Sequence, residues 1–279
     1  MQARVAGRVY HEIQPVVGDR AVASFLEELP LIETILPRRS VLQRTAPLGR
    51  STQIIAANVD TVLVISSLHS PDFSHGFTCR ALAAASWRKL GALLVVNKTD
   101  LCRSEDDELL LKEISEVYGP NGAGYVVHEV SCRTGEGTGE LLNSITGSTV
   151  VMSGPSGAGK TSLAKEYVPS LEVRIGAVNP KTEKGRHTTV AARLIPLDGE
   201  TALIDTPGLR MFSIEHIPTE ELQFCFPEFA RYIGQCRFRD CLHMTEPGCA
   251  VKRAAGLGEV PAVRYDVYRG FMEDAVDRA

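Results

Sequence analysis

The stretch Gly154-Pro155-Ser156-Gly157-Ala158-Gly159-Lys160-Thr161 decides the fold of this chain, because it follows the pattern G-x-x-x-x-G-K-T. Between a strand and a helix, this pattern forms a loop whose backbone N–H groups surround phosphate oxygens. The preceding run Val150-Val151-Met152 is typical of a buried strand, and a helix is expected from about Lys160. The sequence therefore predicts a phosphate-binding loop in an α/β domain, with Lys160 on the β- and γ-phosphates and the Thr161 hydroxyl on Mg²⁺.

A second motif, Asn97-Lys98-Thr99-Asp100, lies more than fifty residues before the phosphate loop. The pattern N-K-x-D is typical of guanine recognition, because the Asp carboxylate accepts the two hydrogens that guanine, unlike adenine, presents from N1 and N2. We expect Lys98 to lie along the base and Asn97 to hold neighbouring loops and meet the base edge. Ordinary GTPases have the phosphate loop first, so the reversed order predicts a circularly permuted GTP-binding domain.

Two further segments follow predicted strands and extend the predicted nucleotide site. Asp205-Thr206-Pro207-Gly208 is a D-x-x-G pattern directly after the apolar run at 202–204. We expect Asp205 to bind Mg²⁺ through water and the Gly208 N–H to meet the γ-phosphate. Ser131-Cys132 fits the loop whose backbone N–H meets guanine O6.

The chemistry of hydrolysis is less clearly marked in the sequence. The segment 186–189 lies where a switch loop would supply a threonine to Mg²⁺, either Thr188 or Thr189. Ras-like enzymes orient the attacking water with a Gln directly after D-x-x-G, but Leu209 occupies that position here. We expect His187 to orient the water instead, since its ring nitrogens can accept or donate a hydrogen bond.

These motifs give one set of predicted site residues. The predicted catalytic residues are His187, Lys160 and Thr161, and the predicted magnesium ligands are Thr161 and Asp205. The predicted GTP-binding residues are Asn97, Lys98, Thr99, Asp100, Ser131, Cys132, Gly154, Pro155, Ser156, Gly157, Ala158, Gly159, Lys160, Thr161, Ser162, Thr188, Thr189, Asp205 and Gly208.

A cluster of metal-ligand residues lies near the carboxyl end, where Cys236, Cys241, His243 and Cys249 give C-x4-C-x-H-x5-C. Three thiolates and an imidazole form a complete tetrahedral set for Zn²⁺, which leaves no position open for water. We therefore predict one structural zinc ion that stabilises a segment with little core of its own. The remaining cysteines are interpreted as small apolar residues: Cys79, Cys102, Cys132 and Cys225.

The order of the elements divides the chain into three predicted regions. Residues 1–57 alternate in short segments typical of a small β-module, with an OB-like barrel expected and a sandwich fragment as the alternative. Residues 58–210 alternate strands and helices in a doubly wound α/β pattern. Residues 211–279 are expected to be helical around the metal cluster, with helices beginning at Thr219 and covering 263–276.

Composition limits the class of protein. The 279 residues are 44% hydrophobic and 23% charged, as in globular proteins that bury a sizeable core. Neither an apolar run of membrane-spanning length nor a secretory signal is present, so we expect a cytoplasmic protein, and a monomer. The net charge of −4 argues against non-specific nucleic-acid binding. Arginines concentrated at 38–50 and around the cysteine cluster are either phosphate contacts or solvated surface residues.

The chain resembles the RsgA (YjeQ) GTPases over nearly its whole length. The resemblance lies in the order N-K-T-D, phosphate loop, G-R-H-T-T, D-T-P-G and C-R-F-R-D-C-L-H-M-T-E-P-G-C, and in the runs at 17–19 and 55–60. It implies an OB barrel, a permuted GTPase core and a zinc domain. It also implies GTP hydrolysis stimulated by the small ribosomal subunit and its rRNA, late in subunit maturation. Cys132 replaces the usual Ala and Thr161 the commoner Ser, with little expected effect.

Two other classes remain open from the residues. One is a P-loop kinase or ATPase, which Asp100 would exclude if it reads guanine. The other is an RNA-binding module that uses the nucleotide only as a structural ligand, which Leu209 makes conceivable.

Overall fold

The computed structural model describes residues 4–7, 13–25, 29–45, 52–171, 192–205 and 213–276. Five short strands lie in the first 57 residues: β1 (Arg4–Val5), β2 (Ala21–Ser24), β3 (Leu31–Ile35), β4 (Val41–Thr45) and β5 (Thr52–Ala57). They pair as a three-stranded sheet in the order β1-β3-β2 and a two-stranded sheet β4-β5. A bridge between Val17 and Ala56 connects the segment before β2 to β5. The described strands thus form a small all-β unit, and its closure into a barrel stays a prediction.

A six-stranded sheet forms the centre of the molecule. Its strands are β6 (Thr61–Ser67), β7 (Gly91–Asn97), β8 (Val126–Val130), β9 (Thr149–Ser153), β10 (Arg193–Pro196) and β11 (Ala202–Asp205). Their spatial order is β10-β11-β9-β6-β7-β8. All neighbouring pairs are parallel except β10 and β11, which are antiparallel. The apolar runs predicted as buried strands at 61–65 and 92–96 are β6 and β7.

The strand order explains why the two nucleotide motifs meet. From the centre, β6, β7 and β8 follow one another to one side, whereas β9, β11 and β10 extend to the other side. The chain direction across the sheet therefore reverses between β6 and β9, and ligands of doubly wound sheets bind at the carboxyl ends of such neighbouring strands. The strands β6 to β8, with N-K-T-D at the end of β7, precede β9 and the phosphate loop in sequence. This is the permuted order predicted above.

Four helices cover the two faces of this sheet: α1 (His75–Trp87), α2 (Glu105–Tyr118), α3 (Thr138–Ile145) and α4 (Lys160–Tyr167). Successive strand side chains point to opposite faces, so Val62 and Val64 pack with α1 and α2, whereas Leu63 and Ile65 pack with α3 and α4. This alternation of two hydrophobic cores confirms the doubly wound architecture.

The carboxyl-terminal region packs on α1. Its helices are α5 (Ala250–Gly256) and α6 (Ala262–Val276), preceded by two 3₁₀ helices at Thr219–Cys225 and Pro227–Phe229. The segment that begins at Thr219 is thus 3₁₀-helical rather than the α-helix expected. Phe226 and Phe229 stack and Tyr268 meets both edge-on, with ring centres 5.0–5.2 Å apart, and all three side chains are fully buried. This aromatic cluster joins the core that α1 and α2 form on the sheet.

A short joint connects the β-module to the sheet. The Asp60 carboxylate accepts a hydrogen bond from the Thr149 N–H at 2.9 Å and lies 3.2 Å from the Arg39 guanidinium. Asn58 has a φ of 55° and its side chain bonds the Arg39 N–H and the Gly18 carbonyl oxygen. These contacts fix the module against the start of β6 and β9. Among the residues that the structure describes, no helix has the length and apolar character needed to cross a membrane.

Candidate guanine-nucleotide site and metal centre

The phosphate loop lies between the end of β9 and the start of α4, at the switch point of the sheet. A Cβ on Gly154 would lie 2.3 Å from the Ile65 carbonyl oxygen of β6. Gly159 has a φ of 98°, and a Cβ there would lie 2.0 Å from the Asn97 side-chain nitrogen. No larger residue fits at either position without displacing a neighbour. Steric contacts therefore explain why the motif has glycine at both ends of G-x-x-x-x-G.

Asn97 joins three loops around the predicted site. Its side chain is buried, and Nδ2 donates to the Ala158 carbonyl oxygen at 2.9 Å. Its Oδ1 accepts from the Lys98 N–H at 2.8 Å and from the Cys132 N–H at 3.2 Å. The side chain therefore ties the phosphate loop, the N-K-T-D motif and the Ser131-Cys132 segment together. The holding role expected for Asn97 is visible in these three bonds.

The Ser131 hydroxyl group orients Asp100, a role that was not predicted from the sequence. Ser131 Oγ donates to Asp100 Oδ1 at 2.7 Å and accepts from the N–H groups of Arg133 and Thr134 at 3.3 and 3.2 Å. The Asp100 side chain is 14% exposed, so its carboxylate is held at the edge of the cleft. Sequence reasoning considered only a backbone N–H of this loop, because the hydroxyl contact depends on how β7 and β8 lie side by side.

These loops enclose a cleft of about 400 Å³, which is within the range of small-molecule sites. It is lined by Asn97, Lys98, Asp100, Leu101, Cys132, Arg133, Gly157, Gly159 and Ser162. Leu101 and Arg133 are absent from the predicted set. Arg133 is 77% exposed with Nη1 3.7 Å from Asp100 Oδ2, and its place directly after Ser131-Cys132 was a signal available in the sequence. Thr99 lies in the adjoining 3₁₀ turn Thr99–Leu101.

Lys160 folds back over the phosphate loop. Its Nζ donates to the carbonyl oxygens of Gly154 and Pro155 at 2.7 and 2.8 Å. Burial lowers the pKa of Lys160, and the charge of Asp205 opposes that shift. Thr161 is exposed in the first turn of α4, and Asp205 ends β11 next to β9. A lysine, a hydroxyl and a carboxylate thus meet at the same edge of the sheet.

The remaining predicted residues differ in what the structure describes. Ser156 and Ser162 are exposed and Pro155 is partly exposed in and after the phosphate loop. His187, Thr188, Thr189 and Gly208 lie outside the described residues, as does Leu209. Burial raises the pKa of the Cys132 thiol to about 11, so this thiol is protonated at neutral pH.

The four predicted metal ligands come together in the carboxyl-terminal region. The ligand atoms of Cys236, Cys241, His243 and Cys249 all lie within 4.8 Å of one another. His243 Nδ1 lies 3.6 Å from Cys236 Sγ and 3.4 Å from Cys249 Sγ. His243 has a φ of 61°, so a left-handed backbone turns its ring towards the thiols. The donor set and its closure fit a structural zinc ion.

A hydrogen-bond partner of the His243 ring was not predicted from the sequence. His243 Nε2 lies 2.9 Å from Gln223 Oε1, which favours a proton on Nε2 and leaves Nδ1 free as a ligand. Burial lowers the pKa of His243 and so keeps the ring neutral, as a metal ligand requires. Burial also raises the pKa of Cys241 to about 12, so a bound cation is needed to hold the thiolate form.

Comparison with known proteins agrees with this geometry. The family model described as RsgA GTPase matches residues 35–215. The small ribosomal subunit biogenesis GTPase RsgA of Gemmatimonas aurantiaca is 38% identical over 99% of this chain and 91% of its own. The protein of the same name from Shewanella oneidensis is 35% identical over 91% of this chain and 72% of its own.

Two solved structures share the fold over 99% of this chain. The crystal structure of YjeQ from Thermotoga maritima superposes with a TM-score of 0.81 at 31% identity and 90% coverage of that chain. YloQ, described as a circularly permuted GTPase, superposes with a TM-score of 0.76 at 28% identity and 87% coverage. The reversed motif order, the strand order and these full-length matches lead to one conclusion: the chain belongs to the RsgA GTPase family.

Proposed function

We propose that this protein is a GTPase that binds the small ribosomal subunit and hydrolyses GTP to GDP and phosphate during maturation of that subunit, with hydrolysis stimulated by the subunit. The observation that carries the proposal is the Asn97 junction, which brings the phosphate loop and a guanine-reading motif into one cleft. The names of the relatives, small ribosomal subunit biogenesis GTPases, indicate the partner.

The cleft supplies a role for each group at its edge. Asp100, fixed by Ser131, accepts from guanine N1 and N2 and discriminates against adenine. On nucleotide binding, Lys160 exchanges its two carbonyl contacts for the β- and γ-phosphates. Thr161 and Asp205 are the residues that would hold Mg²⁺, through a hydroxyl and a carboxylate oxygen. Oxygen donors of this kind suit Mg²⁺, which neutralises charge on the transferring phosphoryl group when bound.

The group that orients the attacking water is proposed to lie after Asp205 in the sequence or in the segment 186–189. We keep His187 as the residue that orients the attacking water, with Thr188 or Thr189 on Mg²⁺ and the Gly208 N–H on the γ-phosphate. Turnover of His187→Ala tests the first assignment, provided that its GDP affinity is unchanged. A wild-type rate in this variant refutes it.

The three regions have separate proposed tasks. Residues 1–57 form an OB-like barrel, residues 58–210 bind the nucleotide, residues 211–279 form the RNA-facing helical region, and the Cys236, Cys241, His243 and Cys249 cluster binds one structural zinc ion. Support comes from the paired strands before residue 58, in the sheets β1-β3-β2 and β4-β5, and from the closed donor set. The permutation connects Asp205 directly to the zinc region, so GTP is proposed to order that joint for subunit binding. Equal affinity for subunits with GDP and with a nonhydrolysable GTP analogue contradicts this.

A cytoplasmic location and a monomeric state complete the proposal. The location follows from the proposed partner, because the protein must meet assembling small subunits. Light scattering of the purified full chain measures its mass against the 30.3 kDa of one copy.

The decisive experiment measures GTP and ATP hydrolysis with and without purified small ribosomal subunits. We expect turnover of GTP alone, increased by subunits. Equal turnover of ATP favours a kinase or ATPase, and nucleotide binding without stimulated turnover favours an RNA-binding module. In parallel, Asp100→Asn should weaken GDP binding by about two to four orders of magnitude, since charge-assisted hydrogen bonds contribute about 1.5–3 kcal/mol each. The exposed Asp106→Asn on α2 is the matched control.

A further inference from the structure

The loop between β6 and α1 forms a wall of the nucleotide cleft. The Ser70 carbonyl oxygen accepts a hydrogen bond from Lys98 Nζ of the guanine motif. On the phosphate side, a Cβ on Gly157 would lie 3.5 Å from Pro71 Cδ and 3.6 Å from Ser70 O, which is van der Waals contact. The position of this loop therefore affects both the ammonium group of Lys98 and the space beside the phosphate loop.

One side chain ties this loop to the neighbouring helix. His69 Nε2 lies 2.7 Å from Asp107 Oδ1, and its Nδ1 lies 3.2 Å from Asp72 Oδ1. Asp107, in the first turn of α2, has a fixed position. Its carboxylate also accepts hydrogen bonds at 2.9 and 3.1 Å from the N–H groups of Arg103 and Ser104, which precede the helix. Asp72 belongs to the loop itself and is 89% exposed.

The geometry around His69 favours its protonated form. Neutral imidazole has one N–H donor, whereas both ring nitrogens of His69 face carboxylate oxygens, and imidazolium supplies two donors. The hydrogen bonds to Asp107 and then Asp72 raise the pKa of His69 above its ordinary value. Among the described residues, these two carboxylates are the charged groups that face the His69 ring. On the other side of the loop, the Lys98 ammonium group donates to the Ser70 carbonyl oxygen.

We propose that His69 is a positioning residue for guanine-nucleotide binding. Its imidazolium, held between Asp72 and Asp107, fixes the β6–α1 loop so that the Ser70 carbonyl holds the Lys98 ammonium. With its end held there, the Lys98 stem lies along the face of the base. This inference rests on the proposed function and deepens it, because it adds a residue outside both nucleotide motifs and predicts a pH dependence.

The sign of the pH effect follows from the raised pKa. Both contacts are fully present when His69 is protonated and are weakened as the pH rises through its pKa, so GDP affinity falls over that interval. Because the ring is 37% exposed, solvent screens the ion pairs and the effect is modest. We expect about a threefold to tenfold loss of GDP affinity between about pH 6 and about pH 8.5.

Calorimetry of GDP binding to the full chain across this pH range tests the proposal. His69→Gln should bind GDP at all pH values about as weakly as the wild type does at the highest pH. His69→Lys, with a charge that does not titrate in the range, should retain the affinity at every pH. His216→Gln removes an exposed histidine in the carboxyl-terminal region and should reproduce the wild-type profile. Asp72→Asn, which leaves the Asp107 contact intact, should flatten the profile in the same direction as His69→Gln.

The Lys98→Met background identifies the route of the effect. Without the ammonium group, His69→Gln should change GDP affinity and its pH profile far less than it does in the wild type, because only the contact of the loop with Gly157 remains. A His69→Gln protein with the wild-type affinity and profile overturns the proposal, and so does an undiminished effect in the Lys98→Met background. Failure of the wild-type chain to bind GDP at any pH would instead overturn the proposed function.

Discussion

The buried ion pair between Arg264 and Glu228 supplies the sharpest prediction about stability. Their side chains are 1% and 2% exposed, and two guanidinium nitrogens donate to the two carboxylate oxygens, Nη2 at 3.1 Å. Arg264 Nη1 also lies 3.6 Å from the Cys79 sulfur, and its guanidinium carbon lies 4.9 Å from the Phe226 ring centre. The pair thus joins α6 to the 3₁₀ helix Pro227–Phe229, and the Cys79 contact places it against α1 inside the shared core.

Removal of one partner should be far more costly than removal of both. Arg264→Met leaves the Glu228 carboxylate buried without a counter-charge, which typically costs about 3–5 kcal/mol. That is a large part of the about 5–15 kcal/mol that stabilises a typical domain. The double variant Arg264→Met, Glu228→Met buries no charge, so it should recover most of the loss, because a well-packed apolar pair often equals a buried ion pair in stability.

Urea unfolding followed by tryptophan fluorescence provides the measurement. Trp87 is the single tryptophan and packs against this core at the end of α1, so its emission reports on the region that the pair joins. Arg269→Met, on the exposed side of α6, is the control, since its ion pairs are 3.7 and 4.0 Å long and partly solvated. A loss below about 1 kcal/mol for Arg264→Met, or a double variant less stable than either single one, would refute this reasoning.

Three further predictions concern the two sites. Gly159→Ala places a methyl group 2.0 Å from the Asn97 amide, so GDP binding measured by calorimetry should be lost or strongly weakened while the fold persists; unchanged affinity contradicts the glycine argument. Gln223→Leu removes the partner of His243 Nε2 and should lower zinc affinity about 10–100-fold in a chelator competition, and an unaltered affinity shows that this hydrogen bond does not orient the ring for the metal. Cys132 should react with iodoacetamide faster as the pH rises towards its pKa of about 11, and GDP should protect it; labelling that GDP leaves unchanged, with Cys132→Ala as control, places the thiol outside the cleft.

Local sequence was sufficient for the motifs because their chemistry and their strand context are adjacent in the chain. Val150 to Met152 predict the strand before the phosphate loop, and N-K-T-D directly follows β7. The meeting of these distant segments could also be predicted, since parallel strands bring their carboxyl ends to one edge. The four residues of the predicted metal cluster lie within fourteen residues, so their spacing alone indicated that they come together.

The contacts that sequence reasoning missed are long-range and polar. Gln223 lies 20 residues before His243, and nothing in its surroundings distinguishes it from a surface glutamine. Arg264 is different, because it lies four residues before Tyr268 on the buried stripe of α6 and was therefore open to recognition as a buried arginine. Its partner Glu228, 36 residues away, depends on how the 3₁₀ segment folds over α6.

The energies of these contacts constrain how the nucleotide state can act on the carboxyl-terminal region. Allosteric couplings typically amount to about 1–3 kcal/mol. Since a ligand shifts an equilibrium only by its differential affinity for the two states, the loss of a γ-phosphate has less energy available than undocking from α1 requires. Undocking would expose side chains of the shared core such as Phe226, Phe271 and Met272, at about 1.5–3 kcal/mol each. The carboxyl-terminal region therefore stays docked on α1 through the GTP cycle. The nucleotide must therefore act on the surface next to the cleft. Asp205 and the β6–α1 loop held by His69 both adjoin that surface.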